Sequence, residues 1–393
     1  MAISSLFRSK YLNFNKKTGT LLVLLPLSTL ALAKTPVTGK VKDRLKVGVI
    51  LPMSGSQKDY GIEALTGIEL AQEEVRKTEP DLAQSIEMIL VDDQSTPAGA
   101  ARACDELLKG RVSLVMGSAL PPNTASILLA AEKQKAMVLS PSFWGNKPLV
   151  DTLFSSNYEE SWEAHLLAKF AMDKGLGKNA GVLLTQNDAS ASDFAQAFES
   201  TFVKAGGQIA AKEVYPAQAD NQPLLERIKV LAQAKIDFLL LPSTLEKELQ
   251  ISVEEAKKAG FKKPILGTTR LATKSIRYKA AGLADVYVIL PFESSLQVGD
   301  KTFAFSQSFK NRHQRDPSAL AMQFYDGWMS AAFAYRQASS PEKNDLKRAF
   351  SKLKEVPGLL GPFAINAKHA ADKPAVVYKI AKGALSFDRL ATP

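Results

Sequence analysis

The sequence contains few of the side chains that form disulfides and metal sites. It has one cysteine and three histidines among 393 residues. Cys104 cannot form a disulfide within the chain, and we expect it to be a small buried core residue because it falls on a predicted helix rich in alanine. The histidines His165, His313 and His369 have no partner at the spacing of a metal site. We therefore expect no metal site.

Catalytic motifs are also missing from the sequence. It contains no HExxH, GxSxG, CxxC or Walker motif. Gly175-Leu176-Gly177 precedes a predicted strand, so it is typical of a helix end and not of a dinucleotide-binding loop. Asp92 and Asp93 end a strand and could indicate a metal site, but we expect them to orient the next turn. We predict neither an enzyme nor a bound cofactor.

The first 33 residues lack acidic side chains. An apolar run from Leu21 to Ala33 follows four basic residues, Arg8, Lys10, Lys16 and Lys17. This pattern is typical of a cleaved signal peptide; a membrane anchor is the alternative, although the run is short and Pro26 interrupts it. No cysteine for a lipid anchor lies at the cleavage site. We expect a soluble mature protein in a Gram-negative periplasm.

The net charge of +10 does not indicate a nucleic-acid partner. Four of the 50 basic residues belong to the predicted signal, and clusters such as Lys257-Lys258 and Lys262-Lys263 flank a predicted helix end. Such clusters are typical of a solvated surface. We expect no nucleic acid as a partner and a monomeric protein.

Apolar runs alternate with helical patterns along the rest of the chain. For example, the run IEMILVD precedes Thr96-Pro97, an N-cap and a proline that predict a helix up to Lys109. The alternation extends from about 45 to 155 and again from about 158 to 290. It predicts parallel sheets with right-handed crossovers. The expected fold class is α/β, with two Rossmann-like lobes and a ligand cleft between them.

The start of the chain, the two series and the elements that follow them set the predicted domain boundaries. We predict a signal peptide at 1–33, a first lobe at 45–156 plus 291–361, and a second lobe at 157–290 plus 362–393.

Two adjacent aromatic residues follow the fourth predicted strand, in the stretch LSPSFWGN. Ligands of open parallel sheets bind at the carboxyl ends of the strands. Phe143 and Trp144 therefore either form a wall of the cleft or fold back onto the core of their own lobe.

Several stretches occur in an order that resembles a known family: KVGVILPMSGSQKDYG, VDDQSTPAGAARACDELL, VLSPS and FYDGWMSAAFA. The chain is similar to the type I periplasmic solute-binding proteins of ABC transporters, in the branch that serves branched-chain amino acids and amides. The resemblance covers roughly 45 to 385. It implies three chain crossovers between the lobes, which we expect near Ser156, Pro291 and Pro362. It also implies that the lobes close around a small-molecule ligand and that an ABC transporter permease of the inner membrane is the partner. A periplasmic sensor for a membrane receptor and an interaction module with a degenerate cleft are the alternatives.

The resemblance also implies which loops contact the ligand. They follow the strands of both lobes, and we expect eleven ligand-binding residues: Ser54, Tyr60, Asn123, Thr124, Ser142, Phe143, Trp144, Ser190, Thr244, Thr269 and Arg270.

The chain departs from its relatives at two of these loops. Pro121 and Pro122 remove two backbone donors, although Asn123, the expected N-cap of the next helix, and Thr124 would leave free N–H groups at a helix start, where an anion could bind. Relatives place a carboxylate for the ligand's ammonium close to Thr269. This chain has Thr268-Thr269-Arg270 there, so Asp188 or Glu293 would have to replace it. We therefore expect a ligand with an apolar or aromatic body and a neutral or anionic head, not a standard α-amino acid.

The aromatic pair generates a first prediction. If Trp144 lines the cleft, binding of the solute that co-purifies with the protein changes tryptophan fluorescence. Trp144→Ala then weakens that binding by roughly 1–3 kcal/mol, as for an aromatic hot spot. Trp162, expected on a helix away from the cleft, is the control. A Trp144→Ala variant with unchanged affinity and lower stability would instead assign the pair to the core.

Overall fold

The structure is a computed structural model that describes residues 43–142, 151–216, 222–283, 285–293 and 298–392. The predicted signal peptide, Phe143 and Trp144 lie outside the described residues. None of the described helices is both long and apolar enough to cross a membrane.

The first βα series forms a sheet of five parallel strands. The strands are β1 (Leu45–Leu51), β2 (Ile86–Asp92), β3 (Leu114–Gly117), β4 (Val138–Ser140) and β5 (Leu153–Ser155). Their spatial order is β2-β1-β3-β4-β5. The connecting helices are α1 (Lys58–Thr78), α2 (Pro80–Gln84), α3 (Pro97–Lys109) and α4 (Pro121–Lys133).

The second βα series forms a larger, mixed sheet. Its parallel strands are β6 (Asn179–Thr185), β7 (Gln208–Tyr215), β8 (Phe238–Leu241), β9 (Ile265–Gly267) and β10 (Val286–Leu290). The helices of this half are α5 (Glu160–Asp173), α6 (Ala189–Lys204), α7 (Gln222–Gln233), α8 (Glu246–Lys258) and α9 (Lys274–Ala280). A 3-10 turn, Thr269–Ala272, follows β9.

The last part of the chain contributes to both halves. It contains α10 (Asp300–His313), α11 (Ala319–Gln337), α12 (Lys343–Ser351), β11 (Val356–Gly358), β12 (Gly361–Ile365), β13 (Ala371–Asp372), β14 (Ala375–Ala381) and β15 (Ala384–Ala391). Strands β11, β12 and β13 form a small antiparallel sheet, whereas β14 and β15 extend the second sheet to the order β15-β14-β10-β9-β8-β6-β7. The predicted α/β architecture with two lobes is confirmed.

The starts of α3 and α4 show which local sequence signals determine where a helix begins. Helix α3 begins as predicted: Thr96 accepts a hydrogen bond from the backbone N–H of Gly99, and Pro97 is the first helical residue. Helix α4 begins at Pro121, with Leu120 as its N-cap, so the expectation that Asn123 caps this helix is wrong. A proline already has the helical φ and lacks the N–H that a first helical residue would leave unpaired, so it displaces the later asparagine from the cap.

The hydrophobic cores show where the chain passes from one half to the other. Phe363 and Ala371 pack in the core beneath the first sheet, whereas Ala375 packs against the second sheet. The sequence predicts that residues 362–393 belong to the second lobe. We propose that the third crossover lies at Lys373–Pro374 instead of near Pro362.

Cys104 is buried, as expected, and its Sγ lies 3.7 Å from the carbonyl oxygen of Ile127. Burial, followed by the nearby charge of Asp105, raises the pKa of the Cys104 thiol to about 12. This thiol therefore stays protonated and packs as a small apolar side chain.

A buried ion pair fixes the third crossover. The Nζ of Lys373 lies 2.8 Å from Oδ2 of Asp326 on α11, and the two side chains are only 2% and 4% exposed. Asp326 also accepts a hydrogen bond from the N–H of Leu359, and the carbonyl of Lys373 accepts one from the indole of Trp162. Two charges removed from water are tolerated only when each is paired in this way.

We predict that Lys373→Met lowers the free energy of unfolding by about 3–5 kcal/mol, because it leaves the Asp326 carboxylate buried without its counter-charge. Guanidinium titration followed by circular dichroism measures the change. Lys368→Met is the matched control, since Lys368 pairs with Glu159 at the surface and is 71% exposed. The control should cost less than about 1 kcal/mol. Equal losses in both variants would contradict the role given to the buried pair.

Candidate functional site

A cavity of about 210 Å³ lies between α11 and the strand ends of the second sheet. Gln323 on α11 forms one side, and Asn157 and Pro291 come from the two crossovers that leave β5 and β10. The described lining residues are Asn157, Tyr158, Glu163, Phe194, Thr244, Thr268, Thr269, Arg270, Pro291 and Gln323. The cavity is thus bounded by both halves of the chain and by the segments that join them.

Strand topology explains why these residues meet. Thr244 follows β8, the stretch Thr268–Arg270 follows β9, and Pro291 follows β10. Because the strands are parallel, their carboxyl ends lie at one edge of the sheet, where the loops form a ligand crevice in open α/β folds. Phe194 adds an apolar surface from α6.

Three of the predicted residues of the second half line this cavity: Thr244, Thr269 and Arg270. Arg270 is exposed and Thr269 is half-buried. Ser190, also predicted, lies in the first turn of α6 and is not among the described lining residues.

Asp188 and Glu293, considered as replacements for the missing carboxylate, are not among the described lining residues either. The Asp188 carboxylate accepts hydrogen bonds from the N–H of Ala191, the hydroxyl of Ser243 and the N–H of Thr244, at 3.0, 3.2 and 3.4 Å. Asp188 therefore caps α6 and holds the loop after β8 in place.

Ser54 and Tyr60 occupy the loop after β1 and the start of α1. The Ser54 hydroxyl donates to Oδ2 of Asp92 at 2.5 Å, and Tyr60 is 51% exposed. Burial acts to raise the pKa of Asp92. Hydrogen bonds from Ser54, Gln94 and Met53 outweigh this effect and lower the pKa below its ordinary value. Asp92 orients the next turn, as expected, through the N–H of Gln94, and it also holds the turn after β1, which the sequence did not predict.

The start of α4 offers fewer donors than the sequence predicted. The N–H of Thr124 donates to the carbonyl of Leu120 at 2.9 Å, so it is not free for an anion. The Thr124 hydroxyl accepts from the N–H of Ser118 at 3.0 Å. The expectation of two free N–H groups at this helix start is wrong for Thr124, because Pro121 and Pro122 occupy the first two helical positions. Asn123 is buried, and among the described residues its Nδ2 has no hydrogen-bond partner.

Ser142 ties the loop after β4 to the loop after β3. Its hydroxyl donates to the carbonyl of Ser118 at 2.8 Å, while the Ser118 hydroxyl donates to Oδ2 of Asp93 at 2.6 Å. Sequence analysis missed Ser118 as the centre of this network. Ser142, Ser54, Tyr60, Asn123 and Thr124 are not among the described lining residues of the cavity, so their ligand contacts stay predictions.

Sequence analysis also missed the carboxylate of the cavity. The Thr269 hydroxyl lies 3.0 Å from each carboxylate oxygen of Glu163, which sits near the start of α5. Tyr158 is buried beside it; burial, followed by the charge of Glu163, raises the pKa of Tyr158 well above its ordinary value. A sequence signal for Glu163 existed, because it shares a helical face with the buried residues Leu167 and Phe170 at i+4 and i+7.

Among the described residues, no group of three or more histidine, cysteine, aspartate or glutamate side chains is arranged to hold a metal ion. The described lining contains hydroxyls, two amides, one carboxylate, one guanidinium and apolar rings. Such a mixture fixes the orientation of a small organic molecule through a few polar contacts.

Comparison with known proteins gives the family. The family model described as "Periplasmic binding protein" matches residues 44–384. A leucine-, isoleucine-, valine-, threonine- and alanine-binding protein of Pseudomonas aeruginosa is 21% identical over 284 residues, which cover 71% of this chain and 74% of that protein.

Solved structures share the fold. A branched-chain amino acid transporter substrate-binding protein of Streptococcus pneumoniae, in complex with isoleucine, is 24% identical with a TM-score of 0.60, covering 89% of this chain and 100% of that one. A solute-binding protein of an ABC transporter from R. palustris, in complex with benzoate, is 18% identical with a TM-score of 0.56, covering 89% and 97%.

The two-lobed α/β fold and the family match over nearly the whole described chain agree with the resemblance seen in the sequence. The chain belongs to the periplasmic binding protein family.

Proposed function

We propose that the protein is the exported solute receptor of an ABC transporter. It captures a small organic solute in the cavity between its two halves and delivers it to a permease in the inner membrane. The observation that carries this proposal is the cavity itself, because its walls come from α11, from two crossovers and from the strand ends of the second sheet. A solute held there contacts both halves and favours the closed arrangement.

Binding without chemical conversion is the role that the lining supports. The polar groups at the cavity include the Glu163–Thr269 pair and Arg270, and they suit recognition of a charged or polar head. Proteins of this family are substrate-binding components of transporters and not enzymes. We infer that this chain likewise holds its solute unchanged.

The proposed solute has an apolar or aromatic body. Phe194 and Pro291 line the described cavity and offer the apolar surface for it. Phe143 and Trp144 would extend that surface if they line the cleft, as the sequence predicts. The relatives reported above bind aliphatic amino acids in one case and benzoate in another. Benzoate and most of the amino acids, threonine excepted, combine a compact apolar body with a charged head.

The expected charge of the solute's head was based on the absence of a carboxylate near Thr269. A neutral or anionic head was expected because the sequence has no carboxylate next to Thr269 along the chain. Glu163 places one there from α5. The objection that an ammonium would be buried without a counter-charge therefore no longer holds.

We predict that the protein isolated from periplasm carries a low-mass solute and closes around it. Native mass spectrometry should detect the solute, and small-angle scattering should give a smaller radius of gyration before the solute is stripped than afterwards. Thr244→Trp, which fills part of the cavity, should abolish both signals. Leu245→Trp is the matched control, because this neighbouring side chain is 46% exposed and is not among the described lining residues.

Absence of any solute from the wild-type protein, together with an unchanged scattering profile, would contradict the receptor function. Loss of the solute in both tryptophan variants would instead show that the loop after β8, and not the cavity, governs binding.

A further inference from the structure

A second cavity, of about 100 Å³, lies beside the first sheet. Its walls come from the last turns of α1, from α2, from the start of β2 and from α11. The described lining residues are Gln72, Val75, Arg76, Ala83, Ile86 and Trp328. None of them belongs to the described lining of the solute cavity. The two cavities are therefore separate, and a ligand of the second one would not compete directly with the solute.

Trp328 brings an unpaired hydrogen-bond donor to this second cavity. The residue is only 3% exposed, and among the described residues its indole N–H has no hydrogen-bond partner. The indole of Trp162, by contrast, donates to the carbonyl of Lys373. An indole N–H is a donor only, and it usually finds an acceptor when the ring is buried. An acceptor inside the cavity that Trp328 lines would supply that partner.

Arg76 brings a positive charge to the same cavity. It is exposed, and within the part of the chain that the structure describes it forms no ion pair. The carboxylates near it along the chain are paired with other cations: the pairs are Glu73–Arg312, Glu74–Lys301 and Glu79–Arg336, at 2.7, 3.7 and 2.6 Å. Residues 1–42, which lead into β1, contain no aspartate or glutamate. A counter-ion for Arg76 would therefore have to come from a ligand.

The other lining residues restrict the size and chemistry of that ligand. Val75, Ala83 and Ile86 offer an apolar wall, and Gln72 adds an amide whose Nε2 lies 3.6 Å from Sδ of Met88, a weak acceptor. A cavity of about 150 Å³ can hold benzene, so one of about 100 Å³ has room for about four or five heavy atoms. The cavity thus suits a compact anion with a short apolar part.

Two simpler explanations cover only part of these observations. Arg76 lies in the last turn of α1, where the helix dipole favours a positive charge without any ligand. This placement does not provide an acceptor for the indole N–H of Trp328. Water in the cavity could accept that N–H, but it would not neutralise the guanidinium. A small anion satisfies both groups together.

We propose that this second cavity binds a short-chain aliphatic carboxylate such as propionate. The carboxylate would accept hydrogen bonds from the guanidinium of Arg76, whose planar fork suits a carboxylate, and from the indole N–H of Trp328. Its alkyl part would contact Val75 and Ile86. The inference is independent of the proposed receptor function, because it concerns other residues.

Calorimetric titration with three compounds at constant ionic strength tests the inference. Sodium propionate should bind at one site per chain. Propionamide has the same shape without the charge, and it should bind at least about tenfold more weakly, because hydrogen bonds to a charged group are stronger than neutral ones. Inorganic phosphate has the charge without the alkyl part and should bind more weakly than propionate.

Matched variants assign the binding to this cavity. Arg76→Gln should weaken the binding of propionate at least about tenfold, since it removes the charge. Lys77→Gln is the control, because Lys77 is the next residue on α1, is exposed and is not among the described lining residues. It should bind propionate as the wild type does. Both side chains are exposed, so the unfolding midpoints of both variants without propionate should match that of the wild type.

Nuclear magnetic resonance adds a signal that is specific to Trp328. The chain has three tryptophans, so the indole N–H resonance of Trp328 can be assigned from a Trp328→Phe variant. This resonance should shift saturably with propionate in the wild type and in Lys77→Gln, and remain in place in Arg76→Gln.

The proposal is overturned if propionate does not bind, which would leave the cavity to water. It is also overturned if Arg76→Gln keeps the affinity of the wild type, or if the Trp328 resonance does not respond, since propionate would then bind elsewhere. Phosphate or propionamide that binds as tightly as propionate would contradict the proposed class of ligand. The receptor function is tested separately, by the co-purified solute and the closure around it.

Discussion

The buried pair formed by Lys373 and Asp326 is the interaction on which the arrangement of the two halves depends. Asp326 belongs to α11, which packs under the first sheet, whereas Lys373 stands at the crossover that leads into β14 of the second sheet. The carbonyl of Lys373 accepts the indole N–H of Trp162 on α5. Because neither charge can be left alone in the interior, the pair fixes where this crossover leaves the first core.

The position of the cavity follows from that constraint. Helix α11, which carries Asp326, also carries Gln323, three residues earlier, at the cavity wall. Helix α5, which carries Trp162, also carries Glu163, which lines the cavity too. Each of these two helices therefore carries one residue that holds the crossover and one residue that lines the cavity. A rotation of one half against the other must change the cavity, which is the property that a closing receptor needs.

Local signals made most of the fold predictable. The Thr96-Pro97 pair fixed the start of α3, and alternating apolar runs and helices were sufficient for the parallel strands of both sheets, because propensity, capping and periodicity act within a few residues. The antiparallel pairing of β14 and β15, which makes the second sheet mixed, was not predicted. The start of α4 was predicted three residues late, since two local signals, a proline and an asparagine, compete there.

Long-range contacts account for what the sequence did not reveal. Glu163 and Thr269 are 106 residues apart, and Asp326 and Lys373 are 47 residues apart, so no window of sequence contains either pair. The helical face shared by Glu163, Leu167 and Phe170 indicated a buried carboxylate, but not its partner. The loop after β9 illustrates the consequence. The loop has no acidic residue, as the sequence shows, but the cavity does have one, because Glu163 reaches Thr269 from α5.

The most direct test of the account is a crystal structure of the protein purified from periplasm with its solute. The account predicts a single small organic molecule enclosed between Gln323 and the loops after β8 and β9, in contact with residues from both halves. A solute bound on the outer face of one half, or a closed protein in which the cavity stays empty, would contradict it.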